Sequence, residues 1–356
     1  MFYARSMCTH VPSVSSQHTT LRIGVIGLGI MGRTHIAAWN AAEIEGLACK
    51  LVAVADRNPA ALTGEFAGPG NLDVQAKTTR LFDPALVRTF TTSEALLADP
   101  AIDVVSICTH TDTHVDLACR ALAAGKHVLL EKPVALRAAD VQLVADAAAT
   151  YGKRCMVAMC MRFWPAWAWL KAKIDSHESG KVTSASFARL ASPPAWSTDF
   201  YHNAAKSGGA AVDLHIHDTD FIRYCFGEPR SISSTGTVHH LTTIYHYAGV
   251  PHIVAHGGWD FARGFPFKMR YLVNFERGTA DFDLTRTPAL MWHADGNSET
   301  IDLGPHTGYD REVRHLIAHL TANGPMHADI ADAVKTAALL EREIEQLQRP
   351  IVPILV

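Results

Sequence analysis

The chain has 356 residues, 32 of them lysine or arginine and 35 aspartate or glutamate, giving a net charge of −3. That length suits two domains rather than a single core, and the near-neutral balance without a basic cluster excludes a nucleic-acid partner. No apolar run approaches the roughly 20 residues of a membrane span, the first residues lack a signal-peptide h-region, and seven scattered cysteines without a CxxC pair read as reduced thiols, so no membrane association and a cytoplasmic location are expected.

Residues 1–20 are rich in Ser, Thr and His without periodicity and are expected to form a mobile tail. From 21 to 160, short apolar runs alternate with helical stretches. Candidate strands are RIGVIG (22–27), LVAVAD (51–56), DVVSIC (103–108), HVLLEK (127–132) and CMVAM (155–159). These runs are apolar almost throughout, as strands buried on both faces must be. Val115, Ala118, Cys119 and Leu122 recur at helical spacing, and Gly125 is placed to end that helix. Repeated β-α units predict an α/β domain with a doubly wound parallel sheet.

Beyond residue 160 the pattern changes. KMRYLVNFE (268–276) sets Met269, Tyr271, Val273 and Phe275 on one face, and TADFDL (279–284) alternates after Arg277-Gly278, which predicts half-exposed antiparallel strands. Ala333, Ala337, Leu340, Ile344 and Leu347 step by three and four and predict an amphipathic helix. The second domain, 161–356, is therefore expected to be α+β with one sheet face open. A face of that kind predicts a homo-oligomer, dimer or tetramer.

RIGVIGLGIMGRTH supplies GxGxxG as Gly27, Gly29 and Gly32, directly after a strand and opening a helix. In that context Gly27 makes the tight turn, Gly29 lets a pyrophosphate approach, and Gly32 lets helix pack on strand; the free N–H groups of the helix start, around Ile30 and Met31, hold the negative charge. Asp56 closes the second strand, where a carboxylate binds the adenosine ribose hydroxyls and repels a 2′-phosphate, favouring NAD. Arg57 beside it keeps NADP open, because a guanidinium can pair with that phosphate, stack on adenine, or simply be a solvated surface group.

The stretch DVVSICTHTDTHVDLACRALAAGKHVLLEKP (103–133) resembles the Gfo/Idh/MocA oxidoreductases, the glucose-fructose oxidoreductase and inositol dehydrogenase family. The resemblance rests on His114 opening the helix, Ala124 to Val128, and Glu131, Lys132 and Pro133 as E-K-P. It continues through MRFWPAW (161–167) and SGGAAVDLHIHDTDFIRYCFGEP (207–229). It implies a Rossmann domain followed by a substrate and oligomerisation domain. It also implies a nicotinamide site along Thr109, His110, His114, Glu131 and Lys132, a triad of Lys132, Asp213 and His217, and a carbohydrate or cyclitol substrate. Three departures stand out: an insertion spanning 67–89, His110-Thr111 where the family has proline-asparagine, and His215 where the family has glycine.

Taking hydride from a secondary alcohol leaves an oxygen that must lose its proton, so a base and a group that steadies the developing alkoxide are both required. His217 is expected to take the proton and Lys132 to polarise the oxygen, with its pKa lowered by partial burial near another cation. If the segment is helical, Asp213 lies four residues before His217 on the same face and orients either that histidine or the substrate. His215 either binds a substrate hydroxyl or packs against the first domain. Arg162 and Trp164 either bind a polyhydroxylated ring or serve as an ion pair and interdomain packing. Asp218 and Asp220 serve the helix start or a neighbouring arginine such as Arg223. No metal is expected: His-x-His with one carboxylate is an incomplete zinc set, and His239, His240, His252 and His256 offer no completing spacing. Two other functions stay open, a glycosidase that retains its nicotinamide and a non-catalytic dinucleotide sensor.

Overall fold

The computed structural model describes residues 20–66, 80–194, 198–201, 203–322 and 324–348. The N-terminal tail through residue 19 and residues 67–79 of the insertion lie outside the described residues. The chain begins with β1 (Leu21–Ile26), α1 (Ile30–Ile44), β2 (Cys49–Ala55), β3 (Arg88–Phe90), α2 (Ser93–Leu97), β4 (Val104–Ile107), α3 (His114–Ala123), β5 (His127–Leu130), α4 (Ala138–Tyr151) and β6 (Cys155–Val157). The strands form one parallel sheet in the order β3-β2-β1-β4-β5-β6. Helices cover both faces, so β4 is buried along its whole length. The five expected strands are all present. The sixth, β3, is an exposed edge of three residues without an apolar run, and nothing in its composition marks it. Gly125, at φ 77°, and Gly152, at φ 60°, follow the ends of α3 and α4 in the left-handed conformation that stops a helix.

The second half adds α5 (Pro165–Ser176), β7 (Val182–Leu190), α6 (Thr198–Tyr201), α7 (Ala204–Ser207), α8 (Ile216–Phe226), β8 (Ser231–Thr237), β9 (His240–His246), β10 (His252–Gly258), β11 (Lys268–Phe275), β12 (Gly278–Asp283), β13 (Leu290–Ala294), β14 (Asn297–Thr300), α9 (Gly308–Ala322) and α10 (Ile330–Leu347). Its eight strands run β14-β13-β12-β11-β7-β10-β9-β8, antiparallel except for the β7–β10 pair. The predicted alternation holds: Met269, Tyr271, Val273 and Phe275 face inward. Trp167 of α5 packs edge-on against Phe282 and Tyr271, with ring centroids 4.7 and 5.1 Å away, and with Phe221 of α8 it closes the core. On the opposite face Leu272 and Ile244 are 48% and 37% exposed.

The two halves are laced together. Helix α9 packs on α1, while α10 packs on both α4 and α8. Val157 N donates to Ala328 O at 2.9 Å, and Ala138 N donates to Glu341 Oε1 at 3.1 Å.

Helix α8 is polar yet buried, and its charged residues find partners on other segments of the chain. Asp218 accepts from Arg189 of β7 at 3.1 and 3.3 Å. Asp220 takes a two-pronged bond from Arg162 at 2.6 and 2.8 Å, and Arg162 also reaches Asp332 at 2.6 Å and the backbone oxygen of His327. Arg223 instead pairs with Glu228 and Asp332, so the arginines serving Asp218 and Asp220 are Arg189 and Arg162. Removing one member of such a buried pair strands the other's charge. Arg162→Ala is expected to cost about 3–5 kcal/mol in denaturant unfolding with KM unchanged in whatever molecules remain folded.

Candidate active site

The glycine loop leaves β1 with Gly27 at φ 85°, where an added Cβ would lie 2.7 Å from Cys108 O. At Gly32 a Cβ would sit 1.8 Å from Gly27 O, whereas nothing stands within 4 Å of one at Gly29. The outer two glycines are thus demanded by packing, and the middle one faces open space. Gly29 caps α1 without any side-chain bond, and the first turn has no acidic residue, so no side chain of the helix start competes with or repels an anion there. Asp56 Oδ2 accepts from Leu28 N at 2.6 Å and Oδ1 from Asn58 N at 2.8 Å. Each oxygen keeps a further lone pair for a ribose hydroxyl. Arg57 is exposed. This cradle fits a dinucleotide. Gly32→Ala is expected to abolish NADH fluorescence enhancement and to destabilise the fold by more than about 2 kcal/mol in chemical denaturation.

The strand order reverses between β1 and β4, and the crevice beyond their carboxyl ends is where such sheets bind ligands. Thr109 and His110 leave β4 there. His110 is exposed and stacks on Phe200, ring centroids 4.8 Å apart. His114 is buried, with Nδ1 2.8 Å from Pro133 O and Nε2 3.0 Å from Thr109 O. Burial pushes its imidazole below the ordinary value, so the neutral ring donates to one of these carbonyls and only touches the other. In this way it ties the turn after β4 to the turn after β5. Glu131 also faces inward: Oε1 lies 2.9 Å from His35 Nε2, and Oε2 accepts from Lys132 N at 3.1 Å. Glu312 of α9 lies in the same buried region, and burial together with the Glu131 charge pushes its carboxyl well above the usual range.

Lys132 reaches across to the second half. Its Nζ donates to Asp213 O at 2.7 Å and to Asp213 Oδ1 at 3.2 Å, which leaves one of its three N–H groups over. Burial alone would push this ammonium down, but the carboxylates of Asp213 and Glu131 outweigh it and hold it above the ordinary lysine value. The expected lowering is therefore reversed. His217 sits nearby with Nδ1 buried and unpartnered. Burial, with the Lys132 and Arg189 cations beside it, pushes it well below the ordinary histidine value.

The structure corrects the expected link between Asp213 and His217. Ala211–His215 form a π-helical turn that leads into α8 at Ile216, and His217 Nδ1 meets no hydrogen-bond partner there. Asp213 is bonded to Lys132 instead. Two candidate substrate ligands are also displaced. His215 has no exposed surface and lies against Glu343 of α10, so it neither lines a pocket nor packs on the first half. Arg162 is consumed by Asp220 and Asp332. Trp164 is half-buried, edge-on to Tyr309 at 5.6 Å, with Gly308 pressed close to it. Among the described residues no three His, Cys, Asp or Glu side chains converge as a metal site.

A family model described as an oxidoreductase family with an NAD-binding Rossmann fold matches residues 21–159, and the GFO/IDH/MocA C-terminal domain model matches 167–281. The chain belongs to the Gfo/Idh/MocA oxidoreductase family. Within this family, inositol 2-dehydrogenase of Rhizobium meliloti (strain 1021) is 34% identical over 221 residues, 62% of this chain and 59% of that protein. The scyllo-inositol 2-dehydrogenase (NAD+) of Bacillus subtilis (strain 168) is 37% identical over 146 residues, 40% and 41% of the two chains. The matched stretches thus span about half the length of these relatives. A solved levoglucosan dehydrogenase, in complex with NADH and levoglucosan, shares the fold at a TM-score of 0.75 and 21% identity, covering 92% of this chain and 97% of that one.

In this Gfo/Idh/MocA member several residues that bear on the site escape sequence reasoning: His35, which braces Glu131; Arg189, which helps keep His217 neutral; Glu312; and Tyr201, whose hydroxyl influences Lys132. The only available signal was the position of His35, one turn beyond Gly32 on the same helix.

Proposed function

We propose that this chain is an NAD(P)-dependent dehydrogenase or reductase that interconverts a secondary alcohol and a ketone on a sugar, cyclitol or sugar derivative. The observation that carries this reading is Lys132 at the carboxyl end of β5, fixed by the backbone oxygen and carboxylate of Asp213 from the other half of the chain. When bound, the nicotinamide supplies the acceptor or donor for the electron pair and hydrogen that leave or join the carbinol carbon. His217 takes the hydroxyl proton through Nε2, since Nδ1 is sealed in the interior. Lys132 turns its remaining N–H to the substrate oxygen and steadies it as charge develops. Asp213 holds Lys132 in place and charged.

NAD is favoured over NADP by Asp56, which would meet a 2′-phosphate with like charge. The names of the matched relatives support a cyclitol or sugar substrate. Residues 21–160 carry the cofactor and 161–356 the substrate, with the open face of the eight-stranded sheet joining copies into a dimer or tetramer. Among the described residues no helix is long and apolar enough to cross a membrane, and free thiols suit the cytoplasm. The test is absorbance of reduced nicotinamide across inositols, aldoses and glycosides with NAD and NADP. Net NADH formation with a polyol supports the reading. Glycoside cleavage without net NADH would replace it with the cofactor-retaining glycosidase, and dinucleotide binding without any turnover with the sensor.

A further inference from the structure

The π-helical turn that carries Asp213 is backed by a polar cluster with no part in the chemistry proposed above. His215, its last residue, and Glu343 of α10 are both 0% exposed, with Nε2 of the histidine 3.0 Å from Oε2 of the carboxylate. Glu343 also accepts from Tyr245 Oη at 3.0 Å, from Thr219 Oγ1 at 3.1 Å and from Thr243 Oγ1 at 3.1 Å. Four donors from the turn, α8 and β9 thus converge on one side chain of α10. Room for the histidine ring is made by Gly257 of β10, where a Cβ would stand 2.7 Å from His215 Nδ1.

A buried carboxylate persists only when its lone pairs are met, and a π turn persists only when its surroundings hold it. Here one cluster meets both demands. Asp213 lies two residues before His215 and His217 two residues after, so a shift of the turn would move both. We propose that His215 and Glu343 are a positioning pair that holds the turn where Asp213 meets Lys132 and His217 faces the substrate; this rests on reading Lys132, Asp213 and His217 as the reacting set.

The test compares Glu343→Ala and Glu343→Gln with Asp332→Asn, which weakens other bonds between the same helices α8 and α10 and to Arg162 in the turn before α5. In the full chain with NAD bound, Glu343→Ala should speed amide exchange across 212–217 at least about tenfold. It should lower kcat at least about tenfold while KM and the NADH Kd stay within about threefold. In Glu343→Gln the amide can donate to His215 and still accept from Tyr245, so both properties should return to within about threefold of wild type. Asp332→Asn should lower Tm without changing either. His215→Ala, which leaves Glu343 its three hydroxyl partners, is the milder variant if Glu343→Ala does not fold, and should act in the same direction. Unchanged exchange across 212–217 in the Glu343 and His215 variants overturns the pair, as does Asp332→Asn reproducing both effects at equal loss of Tm. A wild-type protein that turns over no polyol, while exchange still responds to Glu343→Ala, removes the reading of the reacting set and leaves the anchor standing.

Discussion

Lys132→Met is expected to lower kcat by about 10²–10³-fold while leaving NADH affinity within about tenfold. Methionine keeps the length of the stem and removes the charge, so the loss isolates the ammonium. Lys132 is held above the ordinary lysine value and stays a cation throughout the neutral range, a donor to the oxygen rather than a proton acceptor. The glycine loop at Gly27, Gly29 and Gly32 and the carboxylate of Asp56, the groups proposed to hold the dinucleotide, do not depend on it, which is why binding should survive. Steady-state kinetics beside an NADH fluorescence titration make the measurement. Undiminished turnover in the variant would dispose of the assignment, and so would a loss confined to NADH affinity.

His217→Asn should be costlier, lowering kcat/KM by about 10²–10⁴-fold, and it should change the pH profile as well. A base must be neutral to work. The wild-type histidine is pushed well below its ordinary 6.5 by burial and by the Lys132 and Arg189 cations, so kcat/KM should hold as pH falls through 6.5 and decline only in more acid solution. In the asparagine variant that acid limb should vanish from the residual rate. Stability follows the same sign. The unfolded chain takes up this proton before the folded one, so the contribution of His217 to folding is complete above about pH 6.5 and is lost as pH falls below it. A wild-type acid limb centred at 6.5 or above would contradict the placement of His217 beside two cations.

The parallel sheet was readable because strands buried on both faces must be apolar at nearly every position, and β1, β2, β4, β5 and β6 are. The edge strand β3 carries no such demand. The glycine loop was readable because packing and backbone conformation dictate its outer two glycines. The second half was readable where one face is open, as in β11 and β12, and where an apolar stripe repeats at helical spacing, as in α10. The partners of buried charges were not readable. Arg162 and His215 look like polar ligands in the sequence, yet their counterparts Asp220 and Glu343 lie far along the chain on α8 and α10, and residue type says nothing about which element a side chain will face. Asp213 and His217 were read against a regular α-helix. The structure gives the Asp213 carboxylate to Lys132 instead, 81 residues earlier in the chain.

The bond from Ala138 to Glu341 joins positions 203 residues apart, and with it α10 seals the flank of α4. A ribosome releases α4 long before α10 exists. Until α10 has been made the nascent parallel sheet therefore carries a helix with an uncovered flank, and contacts this distant in sequence are the slowest to close. The N-terminal half expressed by itself should be prone to aggregate, and the chain should gain most of its resistance to proteolysis in a single late step, when α10 docks.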